Sequence, residues 1–414
     1  MTISSAPPPR QRAVWLDRTT PPKVLTLVLI AGLGALSMNV FLPSLPSMAA
    51  YYNADYAVVQ LAVSAYLGAT ALVQLVIGPL SDRYGRRPVM LGAVAIFSFA
   101  TLGCIFSPSI EMFLVFRMIQ SVVAAGIVLS RAIVRDMVPA DKAASMIGYV
   151  TMGMSLVPMV SPMIGGVLDQ WLGWKATFFF MLAFGLAVGW LVWNDLGESN
   201  DQRSDSFGAQ FRAYPELVRS RRFWGYTLVA SFASGSFFAF LGGGPYVATV
   251  VLGMNPAELG LYFGFIALGY MIGNYVSGRF SEAFGLNAMM FYGSAVAMLG
   301  LIAGITLFLL GFAHPISLFG SILFVGLGNG MTLPNANAGI VSVRPHLAGS
   351  ASGLGGAMMI GGGAGLAALT GMLLTPERGV WPLLLMMLAS SIAAIAMAGY
   401  VIHVARKVSA EAAG

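Results

Sequence analysis

Twelve apolar runs, each close to the length that crosses a bilayer as a helix, account for most of this chain. A hydrocarbon core about 30 Å thick needs about 20 apolar residues at 1.5 Å each. The runs fall at 24–48, 57–79, 88–107, 111–133, 143–168 and 175–194, then at 223–249, 257–280, 286–311, 315–341, 348–373 and 380–404. They are continuously apolar and too long for tilted barrel strands, so the expectation is an all-α membrane protein. Composition agrees: 57% of the residues are hydrophobic and 9% charged, against about 25% charged in soluble domains. A soluble fold would lack polar residues to cover itself.

Lys and Arg set the orientation, because loops on the cytoplasmic side carry the excess. With the N-terminus in the cytoplasm, all 22 except Arg117, Lys175 and Arg378 fall on the cytoplasmic side. That places both termini inside and makes the formal charge of +6 topogenic, which argues against a nucleic-acid partner. The first apolar run is too long for the core of a cleavable signal, so it is expected to be retained.

The one long polar stretch, 196–222, divides the chain. A repeat supports the division. Gly78-Pro-Leu-Ser-Asp-Arg-Tyr-Gly85 follows the second run, and Gly278-Arg-Phe-Ser-Glu-Ala-Phe-Gly285 follows the eighth, 200 positions later. The expected layout is a tail 1–23, a six-helix bundle 24–195, a cytoplasmic linker 196–222, a second bundle 223–404 and a tail 405–414. No nucleophile–base arrangement, metal-ligand spacing or channel-like ring of charge stands out. His314, His346 and His403 lie singly at run ends, and Cys104 has no partner cysteine. The Gly361–Gly365 run lies inside an apolar span with no Lys after it, so it serves helix packing rather than phosphate binding. The chain is therefore expected to be neither an enzyme nor a metal protein, and to need no bound cofactor.

Gly78-Pro-Leu-Ser-Asp-Arg-Tyr-Gly-Arg-Arg-Pro88 resembles the loop signature of the major facilitator superfamily. Arg117-Met-Ile-Gln120 resembles its intramembrane arginine motif, with Ser121 in place of the usual glycine. Ser161-Pro-Met-Ile-Gly-Gly166 is similar to the proline–glycine motif of the drug/proton antiporter branch. Four further stretches resemble the bicyclomycin- and chloramphenicol-resistance exporters: Phe41–Pro46, Arg131–Asp136, Gly244-Pro-Tyr246 and Gly328–Ala338. One position departs. The subfamily usually has Asp just before its Tyr-Leu-Pro stretch, and here it is Asn39, which cannot titrate. No acid lies near the middle of a run, so no proton carrier is assigned.

The resemblance implies two pseudo-symmetric six-helix bundles that rock about a site near mid-membrane. It implies export of small amphiphilic drugs, driven by the proton gradient, across a bacterial inner membrane by a monomer. An importer or exporter of a small metabolite on the same fold is the alternative. The cavity is expected to be mostly apolar, with polar contributions from Asn39, Tyr66, Gln120, Tyr149, Tyr270, Asn274, Asn335 and Asn337. Few charges suit neutral ligands, and the Met and Phe stripes are read as lipid-facing or packing groups. Arg117 is expected inside a span, at a cost of about 2.5–3.5 kcal/mol for a central Arg. It should lean on Asn39, Gln120 or backbone carbonyls and face substrate; the alternative is that it snorkels outward. The gating set comprises Gly78, Asp82, Arg83, Gly85 and Arg86 in the loop signature and Arg131 and Asp136 after the fourth run. Pro158, Pro162, Gly165 and Gly166 complete it in the fifth. Asp82 is expected to meet the start of the eleventh helix near Ser350, but only while the cytoplasmic side is closed.

Overall fold

The structure, a computed structural model, describes residues 13–138, 146–147, 149–150, 153–154, 156–200, 209–344 and 347–413. Arg10, Arg12, Asp141, Lys142, Arg203 and His346 lie outside these residues, as do positions 143–145 of the expected fifth run. The long helices are α1 (Val24–Tyr52), α2 (Tyr56–Tyr84), α3 (Arg86–Phe106), α4 (Ile110–Met137), α5 (Val157–Leu172) and α6 (Lys175–Asp195). After a shorter linker helix, Ala209–Val218, come α7 (Arg221–Val251), α8 (Pro256–Phe284), α9 (Leu286–Leu309), α10 (Pro315–Ser342), α11 (Ala348–Leu373) and α12 (Trp381–Ala413). Eleven of these are long and apolar enough to cross a membrane. The remaining one, α5, is preceded by helical residues at 146–147, 149–150 and 153–154, so the expected count of twelve fits.

Two segments outside the apolar runs are helical in part. The linker is not uniformly irregular: its helix buries Leu217 against Phe223 and Tyr226 at the start of α7. The expected C-terminal tail instead continues α12 to Ala413.

Local chemistry explains the ends and breaks. Pro43 and Pro46 each remove a backbone donor, and α1 changes there from α-helix (Val24–Asn39) through a 3-10 turn (Leu42–Ser44) to α-helix again (Leu45–Tyr52). α8 starts on a capping box, with Asn255 and Glu258 each accepting from the other's backbone N–H and Pro256 in the first turn. The repeat is visible in the backbone. Gly85 (φ 100°) separates α2 from α3, and Gly285 (φ 80°) separates α8 from α9, a region that disfavours any side chain.

The bundle has a basic end, which carries the linker and the arginine-rich turns, and a far end. At the far end the halves close on each other. Gln60 of α2 donates to the Ala367 carbonyl of α11 (2.9 Å), and Tyr56 of α2 donates to the Gly242 carbonyl of α7 (2.9 Å). A Cβ on Gly166 of α5 would collide with the Pro256 carbonyl of α8, and one on Gly260 of α8 with the Pro162 carbonyl. At the basic end, none of the ion pairs among the described residues joins the two halves; two lie within the first half and the third ties Glu216 of the linker helix to Arg344. The hydrophobic core follows the same division. One cluster runs through the first half into the far end of the second, while a separate cluster fills the second half's basic end.

Candidate functional site

Between the halves lies a cavity of about 250 Å³. α1 contributes Ala35 and Asn39, and the α5 region contributes Met154 and Pro158. From the second half come Ser234, Phe237 and Phe238 of α7, Phe263 and Tyr270 of α8, Gly326, Asn329 and Leu333 of α10, and Met359 of α11. The spacings of three and four put each set on one helix face. No charged side chain is among the lining residues. Some of the Met and Phe expected to pack or meet lipid therefore form the walls instead.

Of the expected polar residues, Asn39 and Tyr270 line this cavity, and so does Pro158 of the gating set. Ser234 and Asn329 were missed. The α10 lining residues, 326, 329 and 333, share one face, from which Asn335 is turned away; Asn337 lies on that face one turn beyond Leu333, outside the lining. Asn335 is buried and donates to Ser277 Oγ (2.8 Å), tying α10 to α8, while Asn337 is exposed. Asn274 donates to the Tyr270 carbonyl one turn back (2.9 Å), and Tyr149 is 59% exposed and outside the lining.

Tyr66, Arg117 and Gln120 do not reach the cavity either, because they form the polar interior of the first half. Arg117 is fully buried. Its Nε donates to the Ala62 carbonyl (3.2 Å), Nη1 to Ser37 Oγ (3.1 Å) and Gln120 Oε1 (2.6 Å), and Nη2 to the Ser37 carbonyl (2.7 Å). The guanidinium carbon lies 4.2 Å from the Phe41 ring centroid and 3.9 Å from that of Tyr66, within cation–π range. Gln120 passes the chain on to Thr101 Oγ1 (2.7 Å). The expected neutral acceptors are thus present, except Asn39, whose Nδ2 donates to the Ala35 carbonyl (2.7 Å). Outward snorkelling is excluded, and so is substrate contact in this conformation.

The loop signature organises the basic end of the first half. Arg86 bridges Asp82 (Nη1 to Oδ1, 2.5 Å) and Asp136 (Nε to Oδ2, 3.0 Å). Arg83 and Arg131, expected to extend this network, have no carboxylate partner among the described residues; Arg83 lies over the Tyr84 ring instead. The carboxylate of Asp82 is paired with Arg86 of the same half, and no hydrogen bond to the start of α11 is made among the described residues. Two carboxylates missed by the sequence reading do structural work here. Glu198 accepts from the backbone N–H groups of Arg86 (2.8 Å) and Arg87 (3.3 Å) at the start of α3, and a Cβ on Gly85 would strike it. Asp195, fully buried, accepts from Leu16 N (2.8 Å), Lys23 N (3.1 Å) and Thr26 Oγ1 (2.5 Å) and so pins the entry to α1. Nothing in their spacing announced either role.

Two helical halves that close on each other at one end, around an apolar cavity, define a multi-pass membrane transporter. The chain belongs to the Major Facilitator Superfamily, whose profile matches residues 27–368. It is 31% identical to an uncharacterised MFS-type transporter, YdgK, of Bacillus subtilis, over 79% of this chain and 83% of that one. It is 30% identical to a chloramphenicol resistance protein of Pseudomonas aeruginosa, over 84% and 83% respectively. Among solved structures it resembles a bacterial homologue of the human lysosomal transporter Spinster, in an inward-facing and occupied conformation. That likeness has a TM-score of 0.71 at 17% identity, covers 92% of this chain and 96% of that one, and concerns the fold.

Proposed function

We propose that the chain is a secondary active exporter of small amphiphilic drugs, chloramphenicol- or bicyclomycin-like, working by alternating access in a bacterial inner membrane. The observation that carries this reading is the cavity between the halves. Its walls are aromatic, aliphatic and Met side chains, with a few amides and hydroxyls, which suits an amphiphile of drug size. The likeness to a chloramphenicol resistance protein supports the direction of transport. The proton gradient is the proposed energy source, with no bound cofactor, and a monomer is the working unit because the cavity is complete within one chain.

The cycle follows from where the halves touch. With the far end sealed by Gln60, Tyr56, Gly166 and Gly260, ligand enters from the basic end. Export requires this seal to open while the basic end shuts, bringing Asp82 toward the N-terminus of α11. Expression in an efflux-deficient strain tests the proposal. Resistance to chloramphenicol or bicyclomycin should rise, and drug accumulation should fall only while a proton gradient is present. Unchanged or increased accumulation of every drug would leave a metabolite carrier as the reading.

A further inference from the structure

Asn329 occupies an unusual position. α10 is held by backbone contact on two sides. A Cβ on Gly326 would meet the Ile266 carbonyl of α8, and one on Gly330 would meet the Tyr270 carbonyl and Asn274 N of the same helix. On the other side, a Cβ on Gly328 would meet the Gly293 carbonyl and Ala297 of α9. Such contacts fix the rotation of α10 about its axis, and the face they fix toward the cavity carries Asn329. Asn329 is 4% exposed, and its carboxamide has no hydrogen-bond partner among the described residues. Asn335, on the same helix, contrasts with it by donating to both Ser277 and Met331. The amide borders the cavity, so its donors and its acceptor are left for water or a ligand there.

Asn39 faces the same cavity from the other half. Its Nδ2 is committed to the Ala35 carbonyl, which leaves Oδ1 as an acceptor. No Asp or Glu lines the cavity to balance a positive charge. We infer that Asn329 and Asn39 are the polar recognition points of the cavity, that they select an uncharged ligand carrying hydroxyl or N–H donors beside an acceptor, and that the cavity rejects lipophilic cations. The inference rests on the cavity being the drug site. Two amides compensate the desolvation of neutral polar groups, whereas a cation entering an apolar site without a counter-charge keeps most of its desolvation cost. A ligand bonded to both amides also spans the halves, so its contacts change when they rock, as coupling of binding to movement requires.

The test is calorimetric titration of the purified full chain in nanodiscs with two probes. Chloramphenicol is neutral and carries hydroxyls and an amide; tetraphenylphosphonium is a lipophilic cation. The wild type should bind chloramphenicol roughly tenfold or more tighter than the cation, and Asn329→Leu should lose roughly tenfold in chloramphenicol affinity. The isosteric Asn329→Asp guards against a folding defect. It and Asn39→Asp should each raise cation affinity roughly tenfold. Equal binding of both probes by the wild type overturns the inference, as do unchanged affinities in Asn329→Asp. Binding of neither probe by the wild type overturns it together with the drug-export reading. The expected selectivity in a protein that confers no resistance supports the inference and sinks the export reading alone.

Discussion

The Arg117 guanidinium lies 3.9 Å from the centroid of the Tyr66 ring, and the Tyr66 hydroxyl donates to the same Ser37 Oγ that accepts from Arg117. Helices α1, α2 and α4 are therefore joined through one buried cation that has no carboxylate partner among the described residues. Its charge is dispersed over carbonyl, amide and hydroxyl acceptors and two ring faces.

Removing this group should damage the fold before it damages transport. Arg117→Ala leaves Gln120 Oε1 and the Ser37 and Ala62 carbonyls without their donor, at about 1–3 kcal/mol for each unsatisfied group. Arg117→Lys keeps the charge but not the planar fork, so it should recover only part of the loss. Thermal unfolding in detergent should rank wild type above Lys and Lys above Ala. A wild-type melting temperature in Arg117→Ala with export abolished would return the residue to direct ligand contact.

A second prediction concerns the turn between α2 and α3. Glu198 caps the start of α3, so Glu198→Ala should destabilise the protein by about 0.5–2 kcal/mol, the usual loss for an N-terminal cap. Gly85→Ala should cost more, because its φ of 100° is strained for any side chain and its Cβ strikes the Glu198 carboxylate. Combining the two should cost less than the sum, since the collision is gone while the strained φ stays. Strict additivity in thermal unfolding would count against the Gly85–Glu198 contact.

What the sequence disclosed depends on whether the signal was local. The spans, the loop signature and the repeated turns were legible because each needs only its own residues; Gly85 and Gly285 share a positive φ as their alignment implied. The cavity was half legible. A polar residue in a span signals that its helix face avoids lipid, but not whether that face meets a cavity or the bundle interior. Asn39 and Tyr270 went one way, and Tyr66, Arg117 and Gln120 the other. Asn329 was passed over for Asn335, which is turned away, because the rotation of α10 is set by glycine contacts with α8 and α9; Asn337 shares the Asn329 face but lies beyond the lining. Glu198 and Asp195 are legible only once the linker is seen folded back on the first half.

Asp82 supplies a third prediction. In this conformation it pairs with Arg86, and its side chain is 41% exposed. In the proposed cycle it meets the α11 N-terminus only when the basic end shuts, an interaction of about 1 kcal/mol, so Asp82→Asn should shift the equilibrium roughly fivefold toward the open basic end. Cys104 is fully buried, so a reporter at the exposed Ser352 (Ser352→Cys) should label with little background. Labelling should be faster in the Asp82→Asn protein, with export reduced and expression near normal. Equal labelling in mutant and parent would remove Asp82 from the gate.

The last prediction concerns the seal at the far end, where α5 and α8 meet backbone to backbone. Gly166→Ala would press a methyl group into the Pro256 carbonyl, and Gly260→Ala would do the same to Pro162. Within its own helix each substitution should help, because Ala is favoured over Gly by about 1 kcal/mol in a helix interior. Any loss must therefore come from contact between the halves, which separates a gating effect from a folding one. Both variants should express normally, export poorly and hold the far end open. Ala367 is fully buried beneath the Gln60 amide and uses only its backbone carbonyl in that bond, so Ala367→Cys reports on the seal without removing it. The reporter should be nearly inert in the parent and label readily from the periplasmic side in either glycine variant. Gly165→Ala is the control. Its Cβ would meet the Val40 carbonyl of α1, inside the same half. It should lower the melting temperature without exposing the reporter. If Gly165→Ala exposes Ala367→Cys as readily as Gly166→Ala does, the seal is not the α5–α8 crossing, and the closed end must be held by Gln60 and Tyr56 alone.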